Sequence, residues 1–286
     1  MQRKVKTFED RLPARPRKEW DTIEQHVEYL RHFAAYKHVK KFVEGKSVLE
    51  VGCGAGYGAN YLSKFGSNAV AIDISKGHVA YCHINYKKEK LAFLHASGLG
   101  IPLKDSSIDV AVSFQVIEHI EPKKVARFLS EIKRTLKDGG DLFVSTPNKK
   151  LRLLPFQKPE ARNPDHKKEY TSKELEKLFG DFFEEVKVYG LKGSPEIQSL
   201  VLNQLRQNPS DIYRVLVRRI TNLLTPLIKK SLPSVRRRKS EVKKNHQNTQ
   251  NLRIDGFKIV LHCPKDSLDF VVHAKKAKDI RSDLID

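Results

Sequence analysis

Ser47-Val-Leu-Glu-Val-Gly-Cys-Gly-Ala-Gly-Tyr-Gly58 decides the fold. A short apolar run passes straight into alternating glycines, the pattern of a strand that ends in a tight turn before a helix. Glycines at this point matter because a Cβ would keep the backbone from approaching a ligand at the helix N-terminus; Gly52, Gly54 and Gly56 supply that approach. Outward from the loop, 70–74 reads as a second strand and 77–90 as a second helix, a strand-helix-strand unit that a right-handed crossover makes parallel. The alternation continues with strands at 91–94 and 109–114, a helix at 123–136, a turn at Lys137-Asp-Gly-Gly140 and a strand at 141–146. Strands at 185–189 and 270–274 complete an expected seven-stranded sheet, with 257–262 as an additional or replacement strand. The fold class is α/β, a Rossmann-like, doubly wound, mostly parallel sheet.

The rest of the chain is read against that core. Its 286 residues, 39% hydrophobic and 31% charged, suit one full-sized α/β domain with appendages. Residues 1–45 are expected to form an N-terminal helical cap, with one or two helices over 19–44, and 46–199 the ligand-binding core. Residues 200–256 read as a basic amphipathic insertion and linker, and 257–286 as the strands that finish the sheet. No apolar run approaches the roughly 20 residues that span a bilayer, and no apolar stretch follows the charges at the start. Cys53, Cys82 and Cys263 are odd in number and lack C-x-x-C spacing, against a disulfide framework or zinc knuckle; a cytoplasmic protein is expected.

The net charge of +20 favours polyanionic partners, and 200–256 carries 13 Lys+Arg against 3 Asp+Glu, half of that excess. Within it, Ile212, Leu216, Ile220, Leu223, Leu224, Leu227 and Ile228 share one helical face, opposite Arg214, Arg218 and Lys229. Pro226 is expected to kink the helix, and Arg236-Arg-Arg-Lys239 to open a mobile linker. Such a helix over 211–239 suits an anionic membrane surface, peripheral contact at the inner face; a lid packed on the core and an RNA contact stay open.

Val48-Leu-Glu-Val-Gly-Cys-Gly-Ala-Gly-Tyr-Gly58 resembles the first motif of class I S-adenosylmethionine (SAM)-dependent methyltransferases, where an acidic residue ends the strand before G-x-G-x-G. The resemblance is best to the subgroup with the ubiquinone and menaquinone biosynthesis methyltransferases, over roughly 45–191. Further motifs are Leu99-Gly-Ile-Pro-Leu103 with Ser107-Ile-Asp109, Val116-Ile-Glu-His-Ile120, Glu131-Ile-Lys-Arg-Thr-Leu-Lys-Asp-Gly-Gly140 and Ser145-Thr-Pro-Asn148. The resemblance implies SAM as cofactor, held by Glu50, Gly52, Cys53, Gly54, Gly56, Asp73, Ile74, Ser97, Gly98 and Gln115. Asp73 matches the acidic residue that accepts from the ribose hydroxyls, a carboxylate facing a diol being able to take two charge-assisted bonds. Ser97 departs from the family, which has Asp there as acceptor for the adenine amine; a neutral hydroxyl accepts more weakly.

Methyl transfer from a sulfonium mainly needs alignment, and a general base where the acceptor is a hydroxyl or carbon acid. By resemblance His119 is the candidate base; His166 and Tyr170, in Asn163-Pro-Asp-His-Lys-Lys-Glu-Tyr170, are candidates to face the acceptor, with helix capping and loop anchoring as the competing roles. A second resemblance is to methyltransferases of the 3′-terminal 2′-hydroxyl of small RNAs, which hold a metal with Glu-x-x-Glu-His and a distant His. Here Gln115-Val-Ile-Glu118-His119 and Asp165-His166 follow that pattern with a neutral amide in place of one carboxylate, a poorer ligand for a hard cation, and no metal is expected. The leading expectation is methylation of a small-molecule or lipid-linked acceptor. RNA methylation through phosphate contacts, or a non-catalytic SAM- or nucleotide-binding module, are the alternatives.

Overall fold

The computed structural model describes residues 23–152, 165–207, 254–261 and 266–278. The helix read over 211–239 and the linker at 236–239 lie outside the described residues. In chain order the elements are α1 (Ile23–Val43), β1 (Ser47–Val51), α2 (Tyr57–Leu62), β2 (Asn68–Asp73), α3 (Lys76–Asn85), β3 (Leu91–His95) and β4 (Ile108–Phe114). They continue with α4 (Pro122–Thr135), β5 (Leu136–Pro147), α5 (Lys149–Arg152), α6 (Ser172–Gly180), β6 (Glu185–Gly193), α7 (Pro195–Gln207), β7 (Phe257–Val260) and β8 (Asp269–Lys275). The strands lie in the order β3-β2-β1-β4-β5-β8-β6-β7. Pairing is parallel from β3 through β5, while β8 is antiparallel to both β5 and β6, and β7 is antiparallel to β6.

The expected seven strands are therefore eight among the described residues. Phe257–Val260 adds an edge beside β6 and does not replace Asp269–Lys275, which sits between β5 and β6. A second difference concerns Lys137-Asp-Gly-Gly140, expected as a free turn. Pairing runs from Ile108–Leu136 and resumes at Val110–Asp141, so these residues are taken up as an irregularity inside β5, with Gly139 at φ 71°.

Strand parity explains the two layers of the core. Val48, Val110, Val112 and Phe143 face a cluster with Ala35, Tyr36 and Val39 of α1, Leu62 of α2 and Val79 of α3. Their neighbours Leu49, Val51, Ala111, Leu142 and Val144 point the other way, against Val125, Phe128, Leu129 and Ile132 of α4 and Leu175 and Phe179 of α6. Both faces are covered, which is why these strands read as continuous apolar runs. The expected N-terminal cap is built into this core. While one side of α1 joins the sheet face, its Val27, Leu30 and Ala34 pack with Leu191, Ile197, Val201, Phe257 and Leu268. The Arg31 guanidinium reaches Asp269 at 3.1 Å, and both side chains are buried.

The direction of chain progression reverses between β1 and β4, the neighbours at the centre of the sheet, which opens a crevice at their carboxyl ends. No helix among the described residues is long and apolar enough to cross a membrane. α7 runs across position 200, so core and insertion are joined by a helix at the point where a boundary was expected.

Candidate active site

A cavity of about 840 Å³ lies in that crevice. One part is lined by Gly52, Gly54, Asp73, Ile74, Ser97 and Gly98, another by Gln115, Glu118, His119 and His166. All of these except Glu118 were expected at the ligand. Arg31 and His32 of α1 also line it, and nothing in the local sequence of a long N-terminal helix marks them.

The glycine loop is shaped by its backbone first. Gly52, Gly54 and Gly56 have φ of 82°, 51° and 73°, the left-handed region that side chains rarely adopt. A Cβ on Gly52 would lie 2.5 Å from Val116 Cγ2, and one on Gly56 2.5 Å from Cys82 Sγ. The glycines are thus required by the protein's own packing, in addition to the close approach inferred from sequence. The Gly54 N–H donates to Asp73 Oδ2 at 2.8 Å, the Ser75 N–H to Oδ1 at 2.8 Å, and His78 Nδ1 lies 3.2 Å from Oδ1. Burial alone would raise the Asp73 pKa, but the His78 side chain and the two backbone donors outweigh it and hold the carboxyl below its ordinary range. Asp73 is therefore a carboxylate at neutral pH, fixed at the end of β2. Ile74 beside it is 73% exposed, a large apolar side chain at the cavity lip. The Ser97 hydroxyl accepts from the Leu99 N–H at 3.1 Å.

These features fit SAM: a carboxylate for the ribose diol, an uncovered apolar surface at the lip for the adenine face, and a loop without side chains beside them. The remaining expected residues sit differently. Glu50 shares strand parity with Val48 and so faces α1; its Oε1 accepts from Tyr36 Oη at 2.5 Å, and it does not line the cavity. Burial raises its pKa to about 8, opposed by the Tyr36 hydroxyl. Cys53 and Gly56 also lie off the cavity lining, and Cys82, packed behind the loop, donates to the Gly54 carbonyl at 3.4 Å.

On the other side, β4 is followed by Gln115, a non-glycine residue at φ 57°. Its N–H donates to the Ser145 carbonyl at 2.9 Å and its side-chain amide to Ser145 Oγ at 3.2 Å, which hold this sparsely populated conformation. A 3-10 turn, Ile117–His119, follows. The Glu118 carbonyl accepts from the N–H of Lys167 at 2.7 Å and of Lys168 at 3.2 Å, clamping the 165–170 loop onto the turn. That clamp brings the His119 and His166 rings to 4.8 Å between centroids, nearly perpendicular. His119 Nδ1 lies 3.2 Å from the Asp165 carbonyl, and His166 Nδ1 2.9 Å from Glu169 Oε1. Desolvation and the neighbouring His166 lower the His119 pKa, which keeps its imidazole neutral. Tyr170 is buried with the Lys168 ammonium over its ring, stands off the cavity lining, and has its pKa raised to about 12 by burial and then by Glu118 and Glu174.

Residues 49–144 match the family model described as methyltransferase domain. A protein of Mycolicibacterium smegmatis named "Probable S-adenosylmethionine-dependent methyltransferase" is 35% identical over 155 residues, 54% of this chain and 58% of that one. A phthiotriol/phenolphthiotriol dimycocerosates methyltransferase of Mycobacterium ulcerans is 32% identical over 137 residues, 46% of this chain and 50% of that one. The chain thus spans between half and three fifths of the length of these relatives. A solved SAM-dependent methyltransferase structure from Thermotoga maritima superposes with a TM-score of 0.55 at 17% identity, covering 88% of this chain and 91% of that one, a likeness of fold. The match over residues 49–144 to the methyltransferase domain takes in the glycine loop, Asp73 and the strand end at Phe114, the residues that build the crevice at the centre of the sheet.

Proposed function

We propose that the protein transfers the methyl group of SAM to a small-molecule or lipid-linked acceptor. The observation that carries this reading is that one cavity is lined both by the Gly52–Asp73–Ile74 surface and by the His119–His166 pair. Bound SAM supplies an activated methyl on a sulfonium. Asp73 would hold its ribose and Ile74 cover its adenine, while Gln115 and the glycine loop shape the wall between the two parts. His119, held neutral, would accept the proton of an acceptor hydroxyl, and His166 lines the same part. Tyr170, with its raised pKa and its position off the cavity, has no such role here. For the lipid-linked class the support is twofold: the M. ulcerans relative is by its name a dimycocerosates methyltransferase, and half of the excess positive charge lies in 200–256.

Isothermal titration is expected to show binding of SAM and of its demethylated product with a preference over NAD; NAD binding without SAM binding would overturn the reading. Incubation with methyl-labelled SAM and cell extract, followed by partition into organic solvent, tests the acceptor. Label in the organic phase supports a lipid-linked acceptor, label in small aqueous products the small-molecule class, and label in RNA alone rejects both.

A further inference from the structure

Asp73 already meets three donors of the protein itself. The Ser75 N–H and the His78 ring both approach Oδ1, at 2.8 and 3.2 Å, while the Gly54 N–H reaches Oδ2 at 2.8 Å. A carboxylate offers about four acceptor sites, two on each oxygen. Oδ1 is therefore fully engaged, and Oδ2 keeps one site. A vicinal diol brings two O–H donors, one more than that remaining site can take. One of the three present donors must give way.

Which one gives way follows from how each is held. The Gly54 and Ser75 donors are main chain. Gly52 and Cys53, just before Gly54, donate their own N–H groups to the Ile72 carbonyl at 2.8 and 3.0 Å, and Ser75 is the N-cap of α3. Moving either donor would disturb the end of β2. His78 stands in the first turn of α3, where its N–H is bonded to the Ser75 hydroxyl at 3.3 Å and the helix is anchored by the buried Val79 and Cys82. Its backbone is fixed, but its side chain is 21% exposed and lines the same cavity as Asp73, so the ring can leave by side-chain rotation alone. Since a carboxylate only accepts, Nδ1 carries the proton in the bond to Asp73.

We propose that His78 is a positioning residue that competes with the ribose for Asp73: its ring holds the carboxylate, leaves Oδ1 when a diol binds, and returns as the product departs. The inference rests on the reading of Asp73 as the ribose acceptor. SAM and its demethylated product carry the same ribose, so the exchange lowers the affinity for both and favours release of the product after transfer. A ligand with a single hydroxyl can use the remaining site on Oδ2 and leave the His78 bond in place.

The test is calorimetric titration of the full-length protein with SAM, with the demethylated product, and with the 2′-deoxy and 3′-deoxy analogues of that product. His78→Ala is expected to bind SAM and the product about 3- to 10-fold more tightly than the wild type, the scale of one hydrogen bond. His78→Asn, whose amide places a donor where Nδ1 stands, should return both affinities to within about two-fold of the wild type. The analogue lacking the hydroxyl that faces Oδ1 should gain nothing from His78→Ala. In ring ¹⁵N spectra of the wild type, the His78 Nδ1 signal should move on addition of the product. Weaker or unchanged product binding in His78→Ala overturns the proposal, because the ring would then support Asp73 with the ribose bound. Equal tightening for the product and both analogues also overturns it, by making the ring an obstacle in space. If the Ala variant does not fold, a ring signal that stays in place on product addition overturns it in the wild type. Each of these results leaves the cofactor reading standing, whereas a wild type that binds neither SAM nor the product overturns that reading and this inference with it.

Discussion

The two parts of the cavity are built in opposite ways. The Gly52–Asp73 part comes from two neighbouring parallel strands and the loop between strand and helix, all within a short stretch, and its donors and acceptors are mostly backbone. The His119–His166 part joins the end of β4 to a loop beyond β5, held by the Glu118 carbonyl and by side chains. A contiguous part tolerates a uniform cofactor, whereas a part assembled across the chain can change acceptor by changing a loop, which is where function varies on a shared fold. Substitutions in the first part should therefore affect cofactor affinity, and those in the second turnover, with little crossover.

The largest effect that sharpens this division is expected from Asp73. Asp73→Ala removes the carboxylate proposed to hold the ribose and the acceptor for the Gly54 and Ser75 N–H groups. SAM affinity should fall by about 1.5 to 3 kcal/mol, the range for hydrogen bonds to a charged group, or roughly 10- to 150-fold. Calorimetry measures it directly. In the other part, His119→Ala should cut turnover by about 100-fold while SAM affinity stays within a few-fold; a large loss of SAM affinity in that variant would break the comparison by showing the two parts to be one cooperative unit.

How much of each part was legible follows from the same contrast. Gly52, Gly54, Asp73 and Ile74 were readable because strand, turn and acidic residue are local patterns. Glu50 was readable as a motif residue but not in its surroundings, since its contact with Tyr36 depends on α1 packing over that face of β1. His119 and His166 were brought together only through the resemblance to the RNA methyltransferases, because the main-chain clamp that pairs them leaves no pattern in the sequence. Glu169 was missed as a partner, although its spacing of three residues from His166 was available as a signal. β7 was left open between two roles because a short edge strand carries little pattern beyond its apolar residues.

Glu50→Gln should give a smaller effect, on stability rather than affinity, and it tests whether the wall behind the glycine loop is separate from the ligand surface. Burial, opposed by the Tyr36 hydroxyl, raises the Glu50 pKa to about 8, against roughly 4.3 for an exposed glutamate. The folded state thus holds a proton that the unfolded state has released. The resulting stability is fully present below about pH 4.3 and is lost as pH rises through about 8. Gln is an uncharged analogue with nothing to lose in that window. The two proteins should melt within about 2 °C of each other at about pH 4, and the variant should melt about 4 °C or more higher at about pH 8.5. A difference independent of pH would mean that Glu50 is ionised in the folded protein.

The smallest effect is expected at Tyr170, named from sequence as facing the acceptor and found off the cavity. Its ring is buried under the Lys168 ammonium, 4.9 Å from the centroid, and its backbone carbonyl accepts from the Lys149 N–H at 3.1 Å. Both interactions survive removal of the hydroxyl. A pKa of about 12 also leaves no phenolate to act near neutral pH. Tyr170→Phe should therefore keep SAM affinity and the rate of label transfer within about two-fold, while Tyr170→Ala, which empties a buried aromatic site, should destabilise the protein by about 3 to 5 kcal/mol in chemical denaturation. A loss of turnover of 10-fold or more in the Phe variant, with SAM affinity intact, would place the Tyr170 hydroxyl at the acceptor. The second part of the cavity would then extend deeper beneath the 165–170 loop than the lining residues define.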